Sequence, residues 1–162
     1  MQPMLILALL VLLFVANGTP VVVKRVLGER FAFPLDGGIG FVDGRRLFGP
    51  AKTIRGIVLS VVVTAAAAPL VGLDWMIGIL VGSAAMVGDV FSSFLKRRLG
   101  LAASSRATGI DQLPEALFPL LACRDALALT VADITVAVAI FFVGEIVLSP
   151  LFFRLRVRDR PY

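Results

Sequence analysis

The stretch WMIGILVGSAAMVGDVFSSFLKRRLG, residues 75–100, decides the fold class of this chain. Residues 75–95 contain one charged side chain, Asp89, and a bilayer core is crossed by about 20 apolar residues in a helix. Three cations follow at once, Lys96, Arg97 and Arg98. An ionised carboxylate at the edge of a bilayer is costly unless the protein uses it. The stretch therefore predicts a membrane helix whose one carboxylate has a partner or a function.

The rest of the chain has the composition of an integral membrane protein. It has 162 residues, 59% of them hydrophobic, and a mean hydropathy of +0.96. Further apolar spans are predicted at roughly 3–23 and 55–72, and the remaining apolar-rich segment after about residue 112 is too long for one span. Dividing it between Arg124 and Asp133 gives a short fourth and a longer fifth helix, although the fourth could instead be a re-entrant or interfacial segment. We predict an all-α integral membrane protein with about five transmembrane helices and two polar loops, folded as one domain over residues 1–162.

The amino-terminal segment, MQPMLILALLVLLFVANGTPVVVKR, is interpreted as a retained first span. It lacks the positive n-region and the small-residue cleavage site of a signal peptide. Asn17, Gly18 and Pro20 are expected to interrupt this span near its inner end.

The distribution of cations predicts the orientation in the membrane. Fifteen of the sixteen Lys and Arg residues fall in the two loops or after the last span, and only Arg124 falls on the other side. Cytoplasmic segments carry an excess of Lys and Arg. We therefore expect a multi-pass protein of the cell membrane with its amino end outside and with both loops and the carboxyl end in the cytoplasm. The fifteen are Lys24, Arg25, Arg30, Arg45, Arg46, Lys52, Arg55, Lys96, Arg97, Arg98, Arg106, Arg154, Arg156, Arg158 and Arg160.

The composition also limits the chemistry. Cys123 is the only cysteine, and the chain has no histidine, the commonest metal ligand and general base. Acid, base or metal chemistry must then rest on Asp, Glu, Lys, Arg or the backbone. The net charge of +5 and the pI near 10.3 are assigned to the cytoplasmic loops of a membrane protein, and no nucleic-acid partner is expected.

Helical spacing places Asp89 on one face with Ser93, Lys96 and Arg97. The same face continues backwards through small residues that let a neighbouring helix approach closely, either within one subunit or between two subunits of a homodimer. Asp89 is therefore expected to face protein. A structural ion pair with a nearby arginine remains the alternative to a functional role. The small residues are Gly78, Gly82 and Ala85.

The first loop combines many glycines with cations in DGGIGFVDGRRLFGPAKTIRG, residues 36–56. Glycines such as Gly44 permit close approach of a ligand to the backbone, and the cations suit phosphate oxygens. The spacing is that of neither a P-loop nor a dinucleotide fingerprint. We favour a phosphate site over a solvated basic loop that is attracted to anionic headgroups. The cations are Arg45, Arg46, Lys52 and Arg55.

The second loop supplies carboxylates in SSRATGIDQLPEA, residues 104–116. Asp111 and Glu115 are one helical turn apart, and Pro114 suits the first turn of a helix. Asp111 taken alone is best explained as the N-cap of that helix. Taken with the first loop, however, carboxylates for Mg²⁺ and cations for phosphate are what phosphoryl or nucleotidyl transfer requires.

At these residues the chain resembles the CDP-archaeol synthase family, membrane cytidylyltransferases related to phosphatidate cytidylyltransferase. The matching segments cover both loops in the family's order, whereas residues beyond about 120 match mainly in hydropathy. The resemblance implies a Mg²⁺-dependent enzyme in which a membrane lipid phosphate attacks the α-phosphorus of CTP, giving a CDP-lipid and diphosphate. The segments are ANGTPV (16–21), DGRRLFGPAKTIRG (43–56), GDVFSSFLKRRLG (88–100) and GIDQLPE (109–115).

The resemblance also implies residue roles. Asp89 and Asp111 would bind Mg²⁺, with Lys96 as a further catalytic residue. Where the phosphatidate enzymes have another Asp, this chain has Pro114, so that Glu115 is the candidate to replace it. Asn17 and Pro20 would shape the inner end of the first span beside the site. Contacts to nucleotide or phosphate are expected from Gly44, Arg45, Arg46, Lys52, Arg55, Ser93 and Arg97.

Three alternatives compete with this function. The same chemistry on ordinary phosphatidic acid is open, because the motifs concern nucleotide and phosphate and not the lipid tails. A small transporter is disfavoured because the polar residues gather in loops on one side and not at the bilayer midplane. A non-catalytic scaffold is disfavoured by the presence of Asp89, Lys96 and Asp111.

Overall fold

In the computed structural model, residues 1–102, 105 and 107–154 are described, with side chains up to Leu148. Five α-helices follow one another, and a short 3-10 turn, Ala68–Val71, extends the second. The only β pairing within the described part is a pair of isolated bridges in the first loop. The predicted all-α class is therefore confirmed. The helices are α1 (Pro3–Leu27), α2 (Ile54–Ala67), α3 (Trp75–Arg98), α4 (Gln112–Ala122) and α5 (Val131–Arg154).

The helix contacts define the direction of each long helix. Ser60 of α2 contacts Ala16 of α1, whereas Gly56, earlier in α2, contacts Pro20 further along α1, so the two helices are antiparallel. Helices α2 and α3 are also antiparallel, because Gly78 and Gly82 meet successively earlier residues of α2. Helix α5 is parallel to α1, because Asp133 at the start of α5 contacts Gln2, and Phe141 further along α5 contacts Phe14 further along α1. Helices α1, α3 and α5 therefore run in one direction, and both loops lie at the same end of the bundle.

Four of the five helices have the length of a membrane span. Within the described residues, α1, α2 with its 3-10 extension, α3 and α5 are long and apolar enough to cross a bilayer. Helix α4 has 11 residues, or about 16 Å, about half of the hydrocarbon core. Its first turn contacts Gly88, which is about 20 Å along α3 from Trp75. Helix α4 thus begins part-way down the bundle, in line with the re-entrant alternative for the fourth predicted span.

The expected interruption of the first span is wrong, since α1 continues through Pro20 to Leu27. A proline has no N–H, so the carbonyl oxygen of Ala16, four residues earlier, loses its helical donor. The hydroxyl of Ser60 donates to this oxygen at 2.7 Å and replaces the missing bond. An unsatisfied buried carbonyl would cost about 1–3 kcal/mol. The partner helix therefore makes the proline compatible with a continuous helix.

The small residues of α3 are used within the chain. A Cβ on Gly78 would lie 2.6 Å from the Cα of Ala65, and one on Gly82 would lie 3.0 Å from the Cα of Val61. Gly82 also contacts Thr64, whose hydroxyl donates to the carbonyl oxygen of Ser60. This face packs against α2, so it gives no support for a homodimer, which remains a prediction.

The end of the bundle opposite the loops is held by Asp133. Its side chain and Thr130 form a reciprocal cap at the start of α5, and its other oxygen accepts from the backbone N–H of Gln2 at 2.9 Å. Further along, the rings of Phe14 and Phe141 pack 5.1 Å apart. These contacts align α1 with α5 around a core of leucines from α1.

The predicted division of the last apolar segment is confirmed, because α4 ends at Ala122 and α5 begins at Val131. Arg124 follows α4 at the end opposite the loops, as predicted from the charge distribution. Which end faces the cytoplasm remains a prediction. Arg106, Arg156, Arg158 and Arg160 lie outside the described residues, as does the side chain of Arg154.

Candidate active site

The predicted face of α3 is present. Ser93, Lys96 and Arg97 are each buried, with 4%, 8% and 8% of their surface exposed, and Asp89 shares their face. Asp74 caps the start of this helix, and its carboxylate accepts from the N–H of Met76 at 2.7 Å. Asp89 therefore points into the protein, as the helical spacing predicted.

The ion-pair partner of Asp89 is Lys52, from the first loop. Its ammonium nitrogen lies 2.5 Å from both carboxylate oxygens, and the two side chains are 20% and 18% exposed. Lys52 directly precedes Thr53, the N-cap of α2, whose hydroxyl accepts from the N–H of Gly56. The start of α2 thus fixes where the lysine enters the site. Among the residues that the structure describes, the partner of Asp89 is a lysine from the first loop and not an arginine, which differs from the structural alternative considered from the sequence.

Lys52 is strongly held in its charged form. Burial by itself lowers the pKa of an ammonium, but the neighbouring carboxylate of Asp89 more than compensates, with smaller contributions from Glu115 and Asp111. The pKa of Lys52 is therefore raised above its usual value. Carboxylates from α3, α4 and the second loop all act on this one ammonium.

Asp111 and Lys96 form a second ion pair, with 2.6 Å between the ammonium nitrogen and Oδ1. Lys96 also donates to the carbonyl oxygen of Ser105 at 3.3 Å. The other oxygen of Asp111 accepts from the N–H of Ala107, and its side chain makes no capping bond to α4. Asp111 therefore occupies the N-cap position of α4, as predicted, but its carboxylate turns back to the second loop and to Lys96 and does not cap the helix.

Glu115 lies beside Asp89, close enough for the two carboxyl groups to interact electrostatically. The close approach of α4 to α3 at Gly88 makes this contact possible, since any Cβ there would meet the carbonyl group of Pro114. Glu145, in α5, interacts electrostatically with Glu115. The charge of Glu145 within an apolar helix was the sequence signal that could have indicated its position near the site.

Three of the predicted phosphate-binding arginines are engaged in building the first loop. Arg45 donates to the carbonyl oxygens of Arg97 and Arg98 at the end of α3, at 3.2 and 3.3 Å. Arg46 pairs with Asp36 at 2.5 Å. Arg55 donates to the carbonyl oxygens of Arg30 and Gly28, after α1. Their role in binding nucleotide remains a prediction.

The tip of the first loop lies on the end of α3. Gly44 has a φ of 75° in the turn that follows Phe41, a left-handed conformation that suits glycine. The guanidinium of Arg98 pairs with Asp43 at 2.8 Å and lies 4.5 Å from the ring centroid of Phe41. Arg98 thus attaches this tip to α3, a role that the sequence analysis did not assign to it.

Two other predicted residues lie near the loop end of α1. The side-chain amide of Asn17 donates to the carbonyl oxygen of Leu13, and its own oxygen is buried without a hydrogen-bond partner among the described residues. Pro20 packs on Gly56 at the start of α2. Pro20 therefore lies where α1 meets α2, at Gly56, which is four residues from Lys52 in sequence.

The donor set for a metal ion is incomplete without further ligands. Within the described ranges, no three carboxylate, cysteine or histidine side chains converge in a metal-binding group. Asp89 and Glu115 are adjacent, however, and Mg²⁺ is usually bound through one or two carboxylates together with substrate phosphates and water. The residues present fit Mg²⁺ as an ion that arrives with a phosphate ligand.

Comparison with known proteins identifies the family. The family model for CarS-like CDP-archaeol synthase matches residues 3–162. A CDP-archaeol synthase of Sulfurisphaera tokodaii is 35% identical over 154 residues, covering 91% of this chain and 89% of the relative. One from Pyrobaculum calidifontis is 32% identical and covers 92% of both chains. A solved structure of an intramembrane enzyme for archaeal membrane lipid biosynthesis matches 85% of this chain and 90% of its own, with a TM-score of 0.70 and 28% identity. The chain therefore belongs to the CDP-archaeol synthase family of membrane cytidylyltransferases.

Proposed function

We propose that this protein transfers the CMP moiety of CTP to the phosphate of a membrane lipid, giving a CDP-lipid and diphosphate. The observation that carries the proposal is the pair of ammonium–carboxylate contacts, Lys52 with Asp89 and Lys96 with Asp111, at the loop end of the bundle. A soluble nucleotide can reach this end from the water. A lipid can present its phosphate there while its tails stay in the bilayer.

The cations of the site retain donors for phosphate. An ammonium has three N–H donors. Among the described residues, Lys52 uses two on Asp89, and Lys96 contacts Asp111 and the carbonyl oxygen of Ser105, which leaves one donor on each lysine. Arg97 bonds the carbonyl oxygen of Ala102, and its Nε is buried without a hydrogen-bond partner among the described residues. A buried donor without an acceptor is costly, and a phosphate oxygen would satisfy it.

Mg²⁺ is proposed as the cofactor, held by Asp89 with a second carboxylate. Each carboxylate oxygen has two lone pairs, so Asp89 can bind a cation while it still accepts from Lys52. Contact with Asp89 supports Glu115 as the second ligand, and the family resemblance supports Asp111. Bound there, the ion would neutralise charge on the phosphates of the nucleotide and the lipid.

The reaction needs little acid–base chemistry from the protein. An oxygen of the lipid phosphate forms a bond to the α-phosphorus of CTP, while the bond from that phosphorus to the bridging oxygen breaks and diphosphate leaves with the electron pair. The nucleophile is already an anion, so no base has to remove a proton. Repulsion between two anions is the main barrier, and fixed cations such as Lys52 and Lys96 lower it.

The proposal also concerns which lipid accepts the CMP moiety and on which side of the membrane the site lies. The names of the relatives favour an archaeal ether-lipid phosphate, with phosphatidic acid as the alternative acceptor. The excess of cations at the loop end favours a cytoplasmic site, with the amino end outside.

The test is incubation of the purified protein with labelled CTP, Mg²⁺ and separate lipid phosphates carrying isoprenoid ether or acyl ester tails. We expect labelled CDP-lipid and stoichiometric diphosphate with the ether lipid. A preference for the acyl lipid would move the assignment to phosphatidic acid. Formation of no CDP-lipid with any acceptor, by protein shown to be folded, would refute the proposal.

A further inference from the structure

The most buried carboxylate of the first loop lies outside the ion pairs of the site. The side chain of Asp36 is 0% exposed, and it follows α1 in a segment that contains no membrane span. Burying a carboxylate is unfavourable unless it is paired and hydrogen-bonded. The hydrogen-bond partners of Asp36 must therefore offset the cost of burying its carboxylate.

Four donors surround Asp36. Its Oδ1 accepts from the N–H of Gly38 at 3.0 Å and from the guanidinium of Arg46 at 2.5 Å. Its Oδ2 accepts from the N–H groups of Phe48 and Gly49 at 3.2 and 2.9 Å. Burial raises the pKa of this carboxyl group, but Arg46 and the three amides outweigh burial and hold the pKa well below its usual range. Asp36 thus fixes the turn at residues 46–49 as an anion.

The turn at residues 46–49 leads directly to Lys52. The N–H of Lys52 donates to the carbonyl oxygen of Gly49 at 3.4 Å, and its carbonyl oxygen accepts from the N–H of Leu35 at 2.7 Å. Leu35 is the neighbour of Asp36. The backbone of Lys52 is therefore held on one side by the segment that carries Asp36 and on the other by the turn that Asp36 organises.

We propose that Asp36 is a positioning residue, whose carboxylate builds the turn that presents the ammonium of Lys52 to Asp89. Asp36 acts on the reaction only through Lys52, and this consequence rests on the proposed function of that lysine. The geometric part of the inference, that Asp36 places Lys52, does not depend on which reaction the protein performs.

The first experiment measures the position of Lys52 without measuring activity. The chain has three lysines, Lys24, Lys52 and Lys96, so amine labelling followed by mass spectrometry reports on each. In Asp36→Asn, the side-chain NH2 group replaces one carboxylate oxygen, so the donors that this oxygen accepted now face another donor. We expect labelling of Lys52 relative to Lys96 to rise about fivefold or more, because Lys96 is held by the second loop.

Two further variants keep the labelling result interpretable. Glu29→Gln makes the same change of charge in the same loop at an exposed residue, and we expect it to leave the ratio unchanged. If Asp36→Asn does not fold, Arg46→Lys keeps a cation beside Asp36 but removes the planar fork, and should raise the ratio by a smaller factor. An unchanged ratio in a folded Asp36 or Arg46 variant overturns the inference.

Turnover then separates positioning from general stability. Asp36→Asn should lower kcat/KM for CDP-lipid formation about tenfold in the wild-type background. In a Lys52→Ala background it should cause no further loss, since the residue through which it acts is gone. An equal loss in both backgrounds overturns the positioning role. If Asp36→Asn raises labelling of Lys52 but keeps wild-type turnover, Asp36 positions Lys52 as inferred, but the proposed function of Lys52 is refuted.

Discussion

Gly88→Ala tests whether the contact between α3 and α4 assembles the site. A Cβ at Gly88 would lie 2.6 Å from the carbonyl carbon of Pro114 and 2.9 Å from the nitrogen of Glu115, whereas ordinary contact begins at 3.4 Å. The obstacle is backbone, and the carbonyl oxygen of Pro114 is nearer still, so α4 has to move away from α3 by about 1 Å. Such overpacking costs about 1–3 kcal/mol, which corresponds to a Tm lower by roughly 2–10 °C. Because Glu115 moves with α4, its distance from Asp89 increases.

The expected effect on turnover is larger than the effect on stability. A displacement near 1 Å at reacting groups can lower a rate by about a hundredfold. We therefore expect Gly88→Ala to fold and to form CDP-lipid between ten and a hundred times more slowly, as measured with labelled CTP on protein of known folded fraction. Gly18→Ala is the matched control, because a Cβ there meets nothing within 4 Å and alanine favours a helix by about 0.5–1 kcal/mol. Wild-type turnover of Gly88→Ala would refute the argument that this contact positions Glu115.

Three further outcomes are expected. Ser60→Ala should lower the Tm because the carbonyl oxygen of Ala16 loses its donor, and adding Pro20→Ala should restore it by supplying a backbone N–H; no recovery in the double variant would contradict this explanation. Lys52→Met should lower turnover at least tenfold and Lys52→Arg less, whereas equal losses would show that the charge alone is not what matters. The pKa of Asp36 is lower in the folded protein than its value of about 3.9 in the unfolded chain, so the carboxylate stabilises the fold at pH values above that unfolded value. This contribution is lost as the pH falls towards the pKa of the folded protein. The Tm difference between wild type and Asp36→Asn should therefore stay constant from about pH 8 to 5 and shrink below about pH 4, and a difference that grows in acid would contradict the assignment.

Periodicity and hydropathy predicted much of the fold because they are local properties. The buried face of α3 follows from helical spacing alone, and the break between α4 and α5 follows from the length of a bilayer span. The continuation of α1 through Pro20 could not be predicted in this way. It depends on the hydroxyl of Ser60, which is forty-four residues from its acceptor Ala16 in sequence, and only the packed structure brings these two residues together.

The candidate site was predicted at the level of residue types but not at the level of partners. Asp89, Lys96 and Asp111 were selected from the sequence, yet the partner of Asp89 is Lys52, thirty-seven residues earlier. Asp36 was overlooked because an aspartate beside glycines in a loop resembles an ordinary turn residue. Its burial, and not its sequence context, distinguishes it.

The arginines of the first loop show that cations expected to bind phosphate can also bind carbonyl oxygens of the protein. A guanidinium is attracted to any array of oxygens, and carbonyl oxygens at a helix end offer the same fork of acceptors as a phosphate. Arg45 caps the end of α3 in this way, and Arg55 binds carbonyl oxygens after α1. These contacts hold the first loop against the ends of α3 and α1, and the hydrogen bonds of Asp36 hold the turn at residues 46–49. The two lysines of the site instead pair with carboxylates, Lys52 with Asp89 and Lys96 with Asp111. The segment that the arginines and Asp36 hold also carries Lys52, so we expect changes in these contacts to alter the position of the Lys52 ammonium relative to Asp89.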